Sequence, residues 1–154
     1  MEVYRITHIK WSSNLIASGK GGRWNSEGKN IIYTASSRAL ACLENVVHRS
    51  GEGLNSLFKV IVIHIPDELK KGIVDLQSLS EEWYKFERYS ECRLIGNEWY
   101  RKSECAILEV PSAIIPNEKN YLINTDHSDF CKIHIISRED FRFDPRITFE
   151  ETER

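Results

Sequence analysis

The sequence predicts an α+β fold in a single domain, and three observations carry that reading. Short β-branched runs and helical stretches interleave without the regular strand–helix–strand beat of a parallel α/β sheet. The 154 residues are enough to bury a core without metal or disulfide staples. With 41% hydrophobic and 29% charged residues, 8 Gly and only 4 Pro, the composition is globular and not disordered or fibrous.

The elements follow in order. Val3–Thr7 is short, alternating and β-rich, and reads as a strand. Residues 12–30 are dominated by Ser, Gly, Asn and Lys, and a loop this long inside a domain is more often functional than incidental. Ile31–Thr34 is a second strand. Ser36 or Ser37 then caps the clearest amphipathic helix, with Ala39, Leu40, Leu43, Val46 and Val47 at helical spacing. At about 100° per residue, Glu44 falls at the edge of that stripe, where an acid can point along the rim of a cleft. Gly51-Glu52-Gly53 breaks the helix. Phe58–Ile65 is apolar on both parities apart from Lys59 and His64, the pattern of a strand covered on both faces. Ser78-Leu79-Ser80-Glu81 has the form of a capping box and predicts a helix through about Tyr89, with Trp83, Tyr84, Phe86 and Tyr89 in the core. A weaker helix is expected over Asn97–Ser103. Cys105–Val110 and Lys132–Ile136 read as strands joined by the Asn-, Asp- and Pro-rich stretch Pro111–Asp129. Thr148–Arg154 is polar and expected to fray.

Charge and cysteine usage exclude several classes. With 21 Lys+Arg against 23 Asp+Glu, the net charge of −2 argues against a protein that coats nucleic acid. No apolar run approaches the ~20 residues of a membrane span, and the amino terminus has no secretory pattern, so a cytoplasmic location is expected. Cys42, Cys92, Cys105 and Cys131 form no CxxC pair and sit among apolar neighbours, as buried reduced thiols do.

Two stretches carry candidate chemistry. In Gly19-Lys20-Gly21-Gly22-Arg23-Trp24-Asn25-Ser26-Glu27-Gly28 the glycines permit close backbone approach. Arg23 offers the planar donor fork that suits a phosphate or carboxylate, and Trp24 offers a stacking face. The glycine spacing is neither that of a Walker loop nor of a dinucleotide fingerprint. In Val110-Pro111-Ser112, a Ser follows a strand and a Pro, so its hydroxyl is presented from a rigid site. Without a GxSxG elbow it does not read as a serine hydrolase. HExxH is absent, and Asp126-His127-Ser128-Asp129 matches no metal loop, so no metal site is expected.

These residues resemble a known family. Tyr4-Arg5-Ile6, Gly21-Gly22-Arg23-Trp24-Asn25, Gly28, Ile32-Tyr33-Thr34, Ser37, Ala39, Leu40, Glu44 and His48 look like the first half of a RES-domain protein. Val110-Pro111-Ser112 ahead of Asn120-Tyr121-Leu122-Ile123-Asn124 resembles the segment that holds its serine. The ordered set spans about Val3 to Phe143, which assigns 1–145 to a RES domain and 146–154 to a polar tail. The resemblance implies an ADP-ribosyltransferase-like fold, with a mostly antiparallel split sheet flanked by helices.

It also implies the toxin of a bacterial type II toxin–antitoxin pair, which cleaves the nicotinamide–ribose bond of NAD+ as a glycohydrolase or phosphorylase. NAD+ would then be a substrate and not a tightly held cofactor, with inorganic phosphate as a co-substrate in the phosphorolytic form. The expected partner is an antitoxin with an Xre-like helix-turn-helix domain that blocks the active site, with a homodimer as a further assembly and no direct contact to nucleic acid. The alternatives are ADP-ribose transfer to a host protein, or a catalytically inactive module that binds nucleotide or a partner. By resemblance Arg23, Tyr33, Glu44 and Ser112 form the catalytic set, and Arg5, Arg23, Tyr33, Ser112 and Asn120 the NAD+-binding set. The chemistry agrees. Cleaving an N-glycosidic bond builds positive charge on the ribose, which a carboxylate such as Glu44 stabilises. Tyr33 can stack on nicotinamide, Arg5 and Arg23 can grip pyrophosphate, and Ser112 can hydrogen-bond beside the ribose.

Overall fold

The computed structural model describes residues 1–49 and 57–147. Its strands are β1 (Glu2–His8), β2 (Ile31–Ala35), β3 (Phe58–His64), β4 (Lys71–Ile73), β5 (Ile107–Pro111), β6 (Lys119–Asn124) and β7 (His134–Phe141). Its α-helices are α1 (Arg38–His48) and α2 (Tyr89–Lys102). The strands form one sheet in the order β4-β5-β6-β2-β1-β3-β7, antiparallel throughout except for the β4–β5 pair.

The sheet parts in its middle. β1 pairs with β3 along its whole length and β2 does the same with β6, but β1 and β2 share only the Tyr4–Ala35 pair. Beyond that pair the Ile6 carbonyl has lost its ladder partner, and the Asn45 side chain of α1 donates to it at 3.2 Å. The parting is thus satisfied by the helix that carries Glu44, as a buried carbonyl requires. The α1 N-terminus is fixed as expected: the Ser37 hydroxyl accepts the Leu40 N–H at 3.0 Å.

Both helices lie on one face of this sheet. α1 packs Leu40 and Ala41 against Ile6, Val60 and Val62 of β1 and β3. α2 packs Cys92 and Trp99, with Trp83, against Leu108, Val110 and Leu122 of β5 and β6. The opposite face buries Val3, Ile32, Ile61, Ile63, Ile107 and Ile123 beneath Leu15, Ala17 and Ile133. Each such aliphatic side chain contributes about 1.5–3 kcal/mol relative to leaving it in water. Between α1 and α2, Tyr33 of β2 and Asn120 of β6 lie half-buried on the helix-bearing face.

Several expectations are corrected. The segment after Ser78 is not a helix: residues 79–88 run as turns with a 3-10 turn at Phe86–Arg88. The reason is that Ser78 closes the preceding 3-10 turn Leu76–Ser78 and gives both of its donors back to the Asp75 carbonyl, the N–H at 3.0 Å and the hydroxyl at 2.6 Å. Nothing is left at Ser78 for Glu81 to cap, and Glu91, from the first turn of α2, holds the next serine, taking the Ser80 N–H at 2.9 Å and its hydroxyl at 2.6 Å. Of the aromatic group expected in the core only Trp83 is buried; Phe86 is 77% exposed.

The expected weak helix at 97–103 is the end of α2, which begins at Tyr89 and stops at the left-handed Ser103 (φ 50°). Pro111–Asp129 is not only a connection, since it contains β6. β4 is too short to have shown a period, and β7 starts later and runs further than expected. Cys92 and Cys105 are buried and Cys42 half-buried, but Cys131 is exposed, so burial does not extend to all four free thiols. The Gly51–Gly53 helix break and the fraying of Thr148–Arg154 fall outside the described residues.

Candidate active site

Ser112 leaves β5 into a tight turn that Pro111 stiffens. Its side chain is fully buried and every capacity of its hydroxyl is used. The oxygen accepts the N–H groups of Ile114 (3.1 Å) and Ile115 (3.2 Å), and the hydroxyl proton is donated to Oε1 of Glu44 at 3.0 Å. A serine whose lone pairs face two backbone donors is a poor nucleophile and a good anchor. Glu44 is half-buried at the edge of α1, as its place in the helical stripe predicts. One of its carboxylate oxygens is thereby held in place.

Tyr33 sits on β2, on the face that carries both helices. Its hydroxyl accepts the Trp24 N–H at 3.1 Å and donates to Asn25 Oδ1 at 2.5 Å. Burial pushes this hydroxyl well above the usual phenol range. The buried Asn25 closes the turn by donating to the carbonyls of Lys20 and Ser26. Gly22 must be a glycine here, because a Cβ would lie 2.7 Å from the Tyr33 oxygen. The Gly-Gly-Arg-Trp-Asn turn is therefore folded over the tip of Tyr33, whose ring remains partly open. Asn120 of β6 pairs across from Ala35, and its side chain donates to the Thr34 carbonyl at 3.2 Å.

Arg23 is placed differently from a free phosphate grip. Its guanidinium donates to the carbonyls of Trp83 (3.2 Å) and Tyr84 (2.8 Å) and lies 4.3 Å from the centroid of the Tyr89 ring. It ties the glycine-rich loop to the segment ahead of α2. Arg5 is not brought to this group. Strand alternation from the Tyr4–Ala35 pair sets it on the face opposite Tyr33, where it donates to the Ile16 carbonyl at 3.3 Å, and burial holds its guanidinium below the ordinary value. It is nevertheless the first residue of β1 beyond the point where the sheet parts.

The loop has a platform that sequence reasoning did not find. Along one face of α2, Arg93 Nε donates to the Gly22 carbonyl (3.0 Å) and Asn97 Oδ1 accepts the Ser26 N–H (3.0 Å). Gly96 lies against the Trp24 carbonyl. The Tyr100 hydroxyl accepts the Asn30 N–H at 3.3 Å. The spacing 89, 93, 96, 97, 100 is a helical stripe, and a glycine inside it was the available signal. Elsewhere, Asp126 accepts from Asn30 and Tyr100, and Asp129 pairs with Lys132. Among the described residues no three His, Cys, Asp or Glu gather as a metal site.

Fold and site together define an α+β domain that presents a serine-anchored carboxylate between two helices, above a parted sheet and beside a glycine-rich turn. Comparison with known proteins assigns the family. The profile of the RES domain matches residues 2–144. "Toxin Res" of Photorhabdus laumondii is 37% identical over 96% of this chain and 97% of its own length. "Toxin Res" of Yersinia enterocolitica is 35% identical over 96% and 99%. The "Prs ADP-ribosylating toxin" of a Sphingobium species is 38% identical over 82% and 80%. Among solved structures, a chain of the M. tuberculosis MbcT–MbcA toxin–antitoxin complex superposes with a TM-score of 0.77 at 18% identity, covering 92% of this chain and 84% of that one. The chain belongs to the RES domain family.

Proposed function

We propose that this protein is the toxin of a toxin–antitoxin pair and that it cleaves the nicotinamide–ribose bond of NAD+. The observation that carries the reading is the 3.0 Å bond from the Ser112 hydroxyl to Glu44, which fixes a half-buried carboxylate where no competing cation holds it among the described residues. In the reaction the C1′–N bond breaks, its electron pair leaves with neutral nicotinamide, and positive charge spreads over C1′ and the ring oxygen. Glu44 stabilises that charge, and with water as acceptor it takes the proton the nucleophile sheds. Ser112 is a positioning residue for Glu44. The Tyr33 ring offers the nicotinamide a face. Arg23 sets the turn over that face and reaches the pyrophosphate if substrate displaces its carbonyl contacts. Arg5 joins these residues only by leaving the Ile16 carbonyl on the opposite face, and Asn120, half-buried on the Tyr33 face, borders the substrate.

The homologues named as toxins support the toxin role, and the complex of the structural neighbour supports an antitoxin as partner. We take that partner to be an Xre-like protein that covers the Glu44 cleft, and the site of action to be the cytoplasm. Among the described residues no helix is long and apolar enough to cross a membrane.

Incubating the purified protein with NAD+, with and without phosphate, and following nicotinamide release tests the reading. Wild type should turn over and Glu44→Ala should not; equal turnover in both would sink it. Mass spectrometry of the products names the acceptor: ADP-ribose for water, ADP-ribose-1″-phosphate for phosphate. A second reading, transfer of ADP-ribose to a protein, is favoured by the 38% identical relative named for modifying Prs. It predicts a mass gain on a protein acceptor and little free ADP-ribose.

A further inference from the structure

We infer that Arg93, on α2, binds the anionic part of the ligand directly; the choice of ligand rests on the NAD+ reading. Arg93 is partly buried, and its Nε is committed to the Gly22 carbonyl at 3.0 Å, which fixes the plane of the guanidinium. Its terminal nitrogens have no hydrogen-bond acceptor and no carboxylate partner among the described residues. Two other half-buried arginines spend terminal donors on backbone carbonyls, Arg5 on Ile16 and Arg23 on Trp83 and Tyr84. The unbonded terminal nitrogens of Arg93 are not buried, so they are open to solvent, and an anion can replace that water with charge-assisted hydrogen bonds.

The surroundings suit a phosphate. Gly21 leaves bare backbone beside the free amino group, since even a Cβ there would come only within 3.8 Å of it. Tyr89 lies between two guanidiniums, with Arg23 at 4.3 Å and Arg93 at 5.7 Å from its ring centroid. Arg23 spends its terminal donors on the Trp83 and Tyr84 carbonyls, whereas Arg93 keeps its own. The same turn lies over Tyr33, so a phosphate on Arg93 is joined through one short stretch of chain to the face that would hold nicotinamide. A planar, pre-oriented guanidinium with two free amino groups favours a pyrophosphate over a carboxylate-free neutral ligand.

The test is calorimetric titration of the full chain with ADP-ribose over a series of salt concentrations, for wild type, Arg93→Gln and Arg93→Lys. Gln can still donate to the Gly22 carbonyl, so the loop keeps its anchor while the charge is lost. Arg93→Gln should weaken ADP-ribose binding about tenfold, as loss of one charge-assisted contact does, and should flatten the dependence of log Kd on log salt; Arg93→Lys should restore most of the salt slope. Equal affinity and slope in Arg93→Gln, or an affinity loss with an unchanged slope, would overturn the inference, and so would a wild type with no affinity for ADP-ribose. Nicotinamide release is measured separately. A protein that binds ADP-ribose through Arg93 but releases no nicotinamide would overturn the cleavage reading and leave this one standing.

Discussion

Gly96 of α2 faces the Trp24 carbonyl so closely that a Cβ would lie 1.8 Å from its oxygen. Helix and loop meet there backbone to backbone, and the loop that meets the helix is the one folded over Tyr33. Gly96→Ala removes a helix-weakening glycine, a gain of about 0.5–1 kcal/mol in an unhindered helix. Here the clash is with backbone, which cannot swing aside, and the overpacking cost of about 1–3 kcal/mol outweighs that gain. Urea unfolding should show net destabilisation. Leu94→Ala, on the exposed side of the same helix, should stay within about 0.5 kcal/mol of wild type. A stabilised Gly96→Ala would mean that the helix and loop do not meet as described.

Ser112 and Glu44 make separable predictions. Glu44→Gln removes the charge and should lower kcat for nicotinamide release by about a hundredfold or more. Ser112→Ala keeps the charge but frees the carboxylate, and it orphans the Ile114 and Ile115 N–H groups. We expect kcat to fall roughly tenfold or more, as for other residues that hold a working side chain in place, with KM changed far less. A Ser112→Ala variant with full activity would remove the serine from the site. Fluorophosphonate probes should leave Ser112 unlabelled, since its hydroxyl is buried and fully engaged.

Tyr33 predicts an alkaline signature. Burial raises its pKa above the ordinary 10.0, so the folded state keeps a proton that the unfolded chain gives up. The stability this supplies is complete below pH 10 and is lost as pH rises further toward the folded value. Tyr100 and Tyr121 are also raised and contribute in the same sense. Tyr33→Phe should therefore flatten only part of the fall in unfolding midpoint above pH 10, and at neutral pH it should lose the stability supplied by the Trp24 and Asn25 bonds. An unchanged alkaline profile would place the hydroxyl in solvent.

How much of the fold and site is legible in the sequence depends on the range of the interactions. β1, β2, α1 and β3 were readable because their periodicity and the Ser37 cap are local. Glu44 was readable at the helix edge for the same reason. Ser78 has the spacing of a helix cap to Glu81, but it ends a 3-10 turn and bonds back to the Asp75 carbonyl, so the box pattern does not distinguish the end of one turn from the start of a helix. β6 was hidden because its first half, Lys119–Tyr121, is only partly buried and lies among turn residues. Arg23 was identified by type, but its carbonyl partners lie some sixty residues on, where no spacing rule reaches.

Glu91 supplies the last test, because it acts on the loop from a distance. Its carboxylate holds both donors of Ser80, which sets the course of residues 80–84, and the carbonyls of Trp83 and Tyr84 in that stretch receive Arg23. Those bonds to Ser80 hold the carboxyl below its ordinary 4.5. A lowered folded pKa contributes stability that is present above pH 4.5 and lost as pH falls through the folded value. Glu91→Gln has no such titration. At pH 7 its unfolding midpoint should lie below that of wild type, and the gap should close as pH falls under 4.5. If the segment does set Arg23, nicotinamide release at pH 7 should fall in Glu91→Gln as well, while Glu82→Gln, whose partner is the exposed Lys85, should change neither quantity measurably. A Glu91→Gln variant whose stability gap persists unchanged at low pH would show that the Ser80 contact does not carry the charge dependence.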